Sequence, residues 1–290
     1  MKHDSIAVVI PVYNGAADIE RALASVYSQS HAPDEVIVVD DGSVDGTPQV
    51  LNAYRSRITY LAQANAGVAT ARNRGVALAQ SEWVAFLDHD DEWLPRKLEC
   101  QMAALRESPH ADLCYCAHFI RAVDGGCRVR YTHWQDVWPG VRLRNPFTPS
   151  TGIVRRSAII QLGGFDESLP GATCEDWDFF IRFARRFPFV SIRTPLVNHY
   201  ESVRSSSVDY TKALPNMLSI LDKSLLVDLI GFPRFHWRRR IRSLMYYQAA
   251  TSARQVGDTA LSLVLRSIWE WPEPTFEARR FKTLLLELFR

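Results

Sequence analysis

The sequence predicts an α/β domain with a mostly parallel central sheet, followed by a C-terminal helical appendage, and three observations carry that prediction. Short apolar runs rich in β-formers, Ala7-Val8-Val9-Ile10, Val36-Ile37-Val38-Val39 and Trp83-Val84-Ala85-Phe86-Leu87, alternate with segments whose apolar residues recur at helical spacing. The runs are continuous rather than alternating, as strands buried on both faces require. From about residue 211 onward the pattern turns wholly helical. A chain of 290 residues with 47% hydrophobic content can bury one large core and an appendage besides. The polar, Ser-rich stretch at 202–207 places the boundary near residue 210, giving domains 1–210 and 211–290.

The elements follow in order. The first strand ends at Pro11, and residues 16–29 carry Ile19, Leu23 and Val26 along one helical face. The second strand runs into Asp40-Asp41-Gly42-Ser43. A helix start follows at Asp45-Gly46-Thr47-Pro48, with Thr47 as N-cap and Pro48 at the first helical position. Residues 58–62 read as a third strand, 67–79 as a helix and 83–87 as the next strand. Residues 112–154 mix short strands with the loop signals Gly125-Gly126 and Pro139-Gly140, and Cys114 and Cys116 fall on one face of a strand. A short helix at 155–161, a turn at Gly163-Gly164-Phe165-Asp166 and an amphipathic helix at 175–186 complete the domain; the last puts Trp177, Phe180, Ile181 and Ala184 on one face.

Composition narrows the function. A formal net charge of +2 gives no strong positive field, which argues against a nucleic-acid binder. The five cysteines have no paired CxxC spacing, so neither a disulfide framework nor a structural zinc site is expected, and reduced thiols suit a cytoplasmic protein. The N-terminus does not read as a signal peptide, and every apolar stretch long enough to approach a membrane span is broken by charge.

The chemistry concentrates at strand ends, where open α/β sheets bind ligands. Asp88-His89-Asp90-Asp91 places three carboxylates in four residues directly after a buried strand. Carboxylates so close raise one another's pKa unless a cation or donor array intervenes, and their hard oxygens suit Mg²⁺ or Mn²⁺ shared with a phosphate. A solvated turn or a helix cap would carry the same residues. Asp40-Asp41 lies at the same edge, where a carboxylate can accept hydrogen bonds from a base or a ribose. Tyr13, just past the first strand, can stack on a base or sugar, or serve packing alone. Arg72, on the helix before the acidic strand, can reach a phosphate or fix the aspartates by bidentate pairing.

These segments, in this order and spacing, resemble the inverting family 2 glycosyltransferases of GT-A fold. The resemblance rests on Val9-Ile10-Pro11-Val12-Tyr13-Asn14, residues 25–30, Glu35 to Ser43, Asp45-Gly46-Thr47, residues 69–75, Phe86 to Trp93, Gly163 to Glu167 and Glu175-Asp176-Trp177-Asp178, and it covers roughly residues 5–205. It implies a Rossmann-like three-layer domain that moves a sugar from a nucleotide-diphosphate donor, a UDP-sugar being expected, to a hydroxyl of a saccharide or lipid-linked saccharide. Cell-surface polysaccharide or glycolipid synthesis is the implied setting. Carried over residue by residue, Pro11, Val12, Tyr13 and Asp41 would form the base pocket and Arg72 would help hold the nucleotide. Asp88 and Asp90 would form the DxD motif, Asp88 toward the ribose or donor sugar and Asp90 on the Mn²⁺ or Mg²⁺.

The resemblance gives His89 no chemistry, and makes Asp91 a supporting acid, the start of the next helix or a further metal ligand. Glu175-Asp176 matches the family's acidic pair near the acceptor, with Asp176 as the general base that an inverting transfer needs. The same pair would also sit well as plain charge at a helix N-terminus. His199 is a candidate metal or phosphate contact, although the family's Arg-then-His pattern is not reproduced in register; a satisfied, partly buried histidine is the other reading.

Two competing functions are weighed. A nucleotidyltransferase would carry a Gly-rich basic loop after the first strand, where this chain has Pro11-Val12-Tyr13-Asn14-Gly15-Ala16. A non-catalytic sugar-nucleotide or glycan-binding protein would have no need of the acids at 41, 88, 90 and 176. Residues 231–290 hold eleven Arg or Lys against five Asp or Glu, with Arg234, Trp237, Arg238, Arg239, Arg240 and Arg242 the densest cluster. Such helices can lie on an anionic membrane surface, here the inner face, or pack with their charges in water.

Overall fold

The computed structural model describes residues 4–131, 145, 147–169, 174–201, 210–273 and 279–288. They fall into two compact units, one drawn from 1–137, 146–167 and 175–202, the other from 138–145, 168–174 and 203–290.

The first unit is the predicted α/β domain. Its sheet has the order β3-β2-β1-β4-β8-β6-β9-β5, with β7 paired to β6. The strands are β1 Ile6–Val12, β2 Glu35–Asp40, β3 Thr59–Ala62, β4 Trp83–Phe86, β5 Glu92–Trp93, β6 Leu113–Arg121, β7 Cys127–Arg130, β8 Gly152–Arg155 and β9 Phe189–Tyr200. Strands β3, β2, β1 and β4 are parallel, each followed by a helix or loop that returns the chain, so their C-terminal ends share one edge. All seven residues of β1 are buried, which is why that run carries no polar residue. Beyond β4 the sheet is mixed: β8 is antiparallel to both β4 and β6, while β6 and β9 are parallel.

The helices of this unit are α1 Ile19–Tyr27, α2 Thr47–Asn52, α3 Val68–Leu78, α4 Lys97–Glu107, α5 Arg156–Leu162 and α6 Glu175–Arg186. Helix α3 packs on β1 so closely that a Cβ at Gly75 would lie 2.3 Å from Val9 Cγ1.

Three local expectations change. The N-cap of α2 is Gly46, not Thr47. Asp45 makes the turn by accepting the Thr47 amide at 3.0 Å, which leaves the buried Thr47 hydroxyl to accept from Gly15 N–H at 2.9 Å and tie the β1–α1 loop to α2. Asp91 does not open a helix: it leads into β5, and α4 starts only at Lys97. The twelve-residue strand β9 had no clear sequence signal, because Arg193-Thr194-Pro195 interrupts it. The β6–β9 register jumps there, from Cys116 opposite Ile192 to Ala117 opposite Pro195, which is where a ladder tolerates proline.

The second unit is helical: α7 Tyr210–Ile220, a π turn at Leu221–Leu225, α8 Gly231–Gln255, α9 Leu261–Glu270 and α10 Arg279–Leu288. Its core includes Ile241, Leu244, Met245, Ala250, Ala253 and Val264. The buried Arg280 donates to the carbonyls of Ser267, Trp271 and Glu273 at 3.2, 2.8 and 2.9 Å. Among the described residues no helix is long and apolar enough to cross a membrane.

Candidate active site

The C-terminal ends of β1 and β2 are stitched together by their loops. Asp41 N–H donates to Val12 O at 2.8 Å, Asn14 N–H to Ser43 Oγ at 2.9 Å, and Val44 N–H to Asn14 Oδ1 at 2.9 Å. Pro11 and Val12 are buried at the end of β1, and Tyr13 just beyond them is 46% exposed, free to present its ring. The buried Asp41 carboxylate accepts from Gln63 Nε2 at 2.6 Å and Ala66 N–H at 2.8 Å on Oδ1, and from Gly67 N–H at 2.9 Å on Oδ2. A carboxylate offers about four lone-pair sites, so these contacts leave Oδ2 able to accept one further donor. The loop also meets the acidic tetrad: a Cβ at Gly15 would fall 2.4 Å from His89 Cδ2 and 2.7 Å from Val12 Cγ2.

At the end of β4, Asp88 N–H donates to Ser150 Oγ at 3.0 Å, Asp91 N–H closes a turn onto Asp88 O at 3.0 Å, and Arg21 Nη2 donates to Asp90 O at 2.6 Å. Burial, then the Asp91 and Asp88 charges, push the Asp90 carboxyl up to about 6 against the opposing effect of His89. Asp91 is fully buried. Its Oδ1 lies 2.9 Å from His199 Nδ1, while Oδ2 has no hydrogen-bond partner among the described residues.

Burial alone would lower the His199 pKa. The Asp91 hydrogen bond and the Asp91, Asp88 and Asp90 charges outweigh it and push His199 up to about 9. His199 is thus an imidazolium set against the tetrad, delivered by the pairing of β9 with β5 and β6. Its ring meets that of His118 edge-on at 6.0 Å, and burial, then Arg130 and His199, push His118 down to about 3.

Arg72 links this cluster to α6. The guanidinium is buried, with Nη2 2.7 Å from Asp88 Oδ1 and Nη1 2.6 Å from Glu175 Oε1. Burial works against its charge, but the two carboxylates hold its pKa above the usual arginine value. Both terminal nitrogens therefore face protein carboxylates, the second of the two arrangements the sequence allowed. Asp176 stands half-buried in the first turn of α6 and accepts Trp177 N–H at 2.7 Å. Next to Arg72, Asn73 grips Phe165 by both backbone groups, N–H to Oδ1 at 2.8 Å and Nδ2 to O at 2.9 Å.

Pro11, Val12, Tyr13 and Asp41 thus gather at one strand pair. Asp88, Asp90, Asp91 and His199 gather at the next, and Glu175 with its neighbour Asp176 joins them through Arg72. Sequence reasoning missed Arg21, Asn73 and Ser150, all of which act on backbone or side chains distant in sequence. Only Asn73, adjacent to Arg72 within the matching segment 69–75, carried any signal.

Hard oxygens dominate the site, with one orphaned carboxylate oxygen on Asp91 and one carboxyl pushed up on Asp90. That donor set fits a divalent cation. Among the described residues no group of three or more His, Cys, Asp or Glu is arranged to hold a metal by itself.

The chain is similar to known proteins in sequence and in fold. The chain is 30% identical over 196 residues to an uncharacterized glycosyltransferase of Rickettsia conorii, covering 64% of this chain and 32% of that one. It is 38% identical over 133 residues to the putative teichuronic acid biosynthesis glycosyltransferase TuaG of Bacillus subtilis, covering 44% and 52%. It therefore spans about a third to a half of such relatives.

Among solved structures, S. aureus TarS 1–349 in complex with UDP-GlcNAc aligns with a TM-score of 0.62 at 19% identity, over 91% of this chain and 81% of that one. The mannosyltransferase PcManGT of Pyrobaculum calidifontis, in complex with GDP-Man and Mn²⁺, aligns at 0.60 and 21% over 98% and 84%. At these identities the structures speak for the fold alone, the GT-A-like α/β arrangement. The model of glycosyl transferase family 2 matches residues 7–167, from β1 through the turn before α6, and the chain belongs to that family.

Proposed function

We propose that the protein transfers a sugar, with inversion, from a UDP-linked donor to a hydroxyl of a saccharide or lipid-linked saccharide in cell-surface polysaccharide or glycolipid synthesis. The observation that carries this reading is the set of acids at the C-terminal strand ends, Asp41, Asp88 and Asp90, with Glu175, the residue before Asp176, joined to Asp88 through Arg72. Tyr13 stacks on the base. The open position on Asp41 Oδ2 accepts the base imide N–H, and Pro11 and Val12 form the pocket floor. Asp88 faces the ribose or the donor sugar and Asp90 holds Mn²⁺ or Mg²⁺, with Asp91 and His199 balancing charge behind it.

Such an ion supplies Lewis-acid stabilisation to the departing diphosphate. Asp176 takes the proton from the acceptor hydroxyl as that oxygen attacks the anomeric carbon, so the acceptor is activated opposite the leaving group. The UDP-GlcNAc and GDP-Man bound by the fold neighbours, and the teichuronic acid role named for TuaG, support the donor class and the polysaccharide setting.

The test is a nucleotide-sugar panel scored by thermal shift with Mn²⁺ and with chelator, followed by NMR assignment of the product anomer. Stabilisation by nucleotide-sugars that chelator does not reduce would remove the metal role, and a retained anomeric configuration would remove inversion.

We further propose that the domain boundary lies near residue 210 and that the helical unit works at the cytoplasmic face of the membrane. Support comes from Phe232, Phe235 and Trp269, which are exposed, with the Arg239 guanidinium 5.9 Å from the Phe235 ring and 5.6 Å from the Trp269 ring. Arginines interleaved with exposed aromatic rings suit an anionic lipid surface. Flotation with phosphatidylglycerol vesicles should retain the wild type and release a Phe232→Ser/Phe235→Ser variant; equal recovery of the two removes this reading.

A further inference from the structure

We propose that Arg72 is a positioning residue that holds the donor-side carboxylate Asp88 and the first turn of α6 at a fixed separation, and so sets the reach of Asp176 to the reacting carbon. The inference rests on the transfer reading above.

The geometry makes Arg72 a bridge between segments far apart in the chain. Asp88 is 16 residues away and Glu175 is 103, yet the two carboxylates sit on opposite tines of one planar guanidinium, at 2.7 and 2.6 Å. All three side chains are largely or fully withdrawn from solvent, with 4%, 23% and 8% of their surface exposed for Arg72, Asp88 and Glu175. A buried ion pair contributes little net stability compared with a well-packed apolar replacement, so stability alone is a poor reason for this triad. What the fork supplies is direction: two donors at a fixed angle, which an ammonium on a flexible stem cannot reproduce toward two acceptors at once.

The next residue along α3 repeats the function. Asn73 fixes the backbone of Phe165 from both sides, and Gly164, at φ +71°, leaves room for it, since a Cβ there would lie 2.5 Å from Asn73 Oδ1. Thr70 and Asn73 also hold Glu167, at 2.9 and 2.7 Å. Helix α3 itself is anchored on β1 at Gly75. Consecutive residues of one rigid helix therefore grip the chain at Phe165 and again at Glu175, immediately before the proposed base. An inverting displacement requires the base and the leaving group on opposite sides of one carbon, and a misplacement of about 1 Å can cost about 100-fold in rate.

The experiment compares Arg72→Lys, Glu175→Ala, Glu175→Gln and the Arg72→Lys/Glu175→Ala double variant, each checked for a native melting transition. Transfer is measured with the best donor from the panel, and binding of UDP with Mn²⁺ by calorimetry. Arg72→Lys and Glu175→Ala should each lower kcat by about 100-fold, and Glu175→Ala, which leaves the Arg72–Asp88 pair in place, should change the UDP dissociation constant by less than about threefold. The double variant should lose no more than either single one, because both break the same bridge. Glu175→Gln keeps an acceptor for Nη1 and should recover most of kcat.

A fall in UDP affinity parallel to kcat in Glu175→Ala would put the bridge in service of the nucleotide rather than of Asp176 and overturn the proposal. So would wild-type kcat in Glu175→Ala, or additive losses in the double variant. A wild-type protein with no transfer on any donor would instead remove the function proposed above, a result distinguishable from these.

Discussion

The two halves of the central sheet solve burial differently. On the β3-β2-β1-β4 side the strands are parallel and their interior is almost wholly apolar, with Val8, Ile10, Val38 and Ala85 fully buried. On the β8-β6-β9-β5 side the sheet encloses polar groups: Lys97 donates to Gln101 Oε1 at 2.7 Å, Gln101 donates to the carbonyls of Cys114 and Thr151, and His199 meets Asp91. The first half is a stiff platform that presents ligand groups at its edge. The second is specified by hydrogen-bonded networks, in which a half-satisfied member costs more than an apolar one. On the proposed reading, donor binding belongs to the platform, and the charge balance of the proposed metal position belongs to the network.

Four perturbations test that contrast. The largest effects fall on activity: Asp90→Ala and Asp176→Ala should each reduce transfer by more than about 10³-fold, and only Asp90→Ala should weaken Mn²⁺-dependent UDP binding by calorimetry. Full transfer in either variant removes the role of that residue. In the network half, Asp91→Ala removes the hydrogen-bond partner of His199, whose side chain is 35% exposed and can turn to water, and should destabilise the fold by about 1–2 kcal/mol, read from the urea midpoint. An unchanged midpoint would mean that the pair does not hold β9 in place.

In the platform half the vulnerability is steric. Gly75→Ala pushes a methyl into Val9 and should cost about 1–3 kcal/mol, with Val9→Ala restoring part of the loss. A neutral Gly75→Ala would show that α3 can lift from β1.

The smallest expected effect is a pH slope. Burial pushes the Lys97 pKa down to about 8 from 10.5. Between those values the unfolded chain binds more protons than the folded one, so this residue makes stability rise with pH across that window. From pH 8 to about 9.5 the gain should be about 1–2 kcal/mol, and Lys97→Met should lack it. A slope that persists in the variant assigns it elsewhere.

The same contrast explains what could be read in advance. The platform strands are continuous apolar runs, and their ligand residues follow directly in sequence, so Tyr13, Asp41 and Asp88 could be placed from local pattern. The network half offered no such continuity. Strand β9 is interrupted by Pro195 at a bulge, His118 and Lys97 are polar residues buried by tertiary packing, and the Thr47 hydroxyl was claimed by Gly15 instead of its own helix. The partners of Arg72, Asn73 and His199 lie 92 to 108 residues away, apart from Asp88, and no local period encodes such distances.

The absent side chain at Gly15 has a consequence for how this site can vary. Because the imidazole of His89 occupies the space a Cβ would need, positions 15 and 89 share one volume. A methyl at 15 should be admissible only when the residue between the two aspartates shrinks and Val12 also gives way, so His89, which takes no part in the proposed chemistry, is sterically bound to the loop proposed to meet the base. Substitutions at positions 12, 15 and 89 should therefore be coupled, which makes the centre of the acidic motif a spacer between the proposed base loop and the proposed metal position.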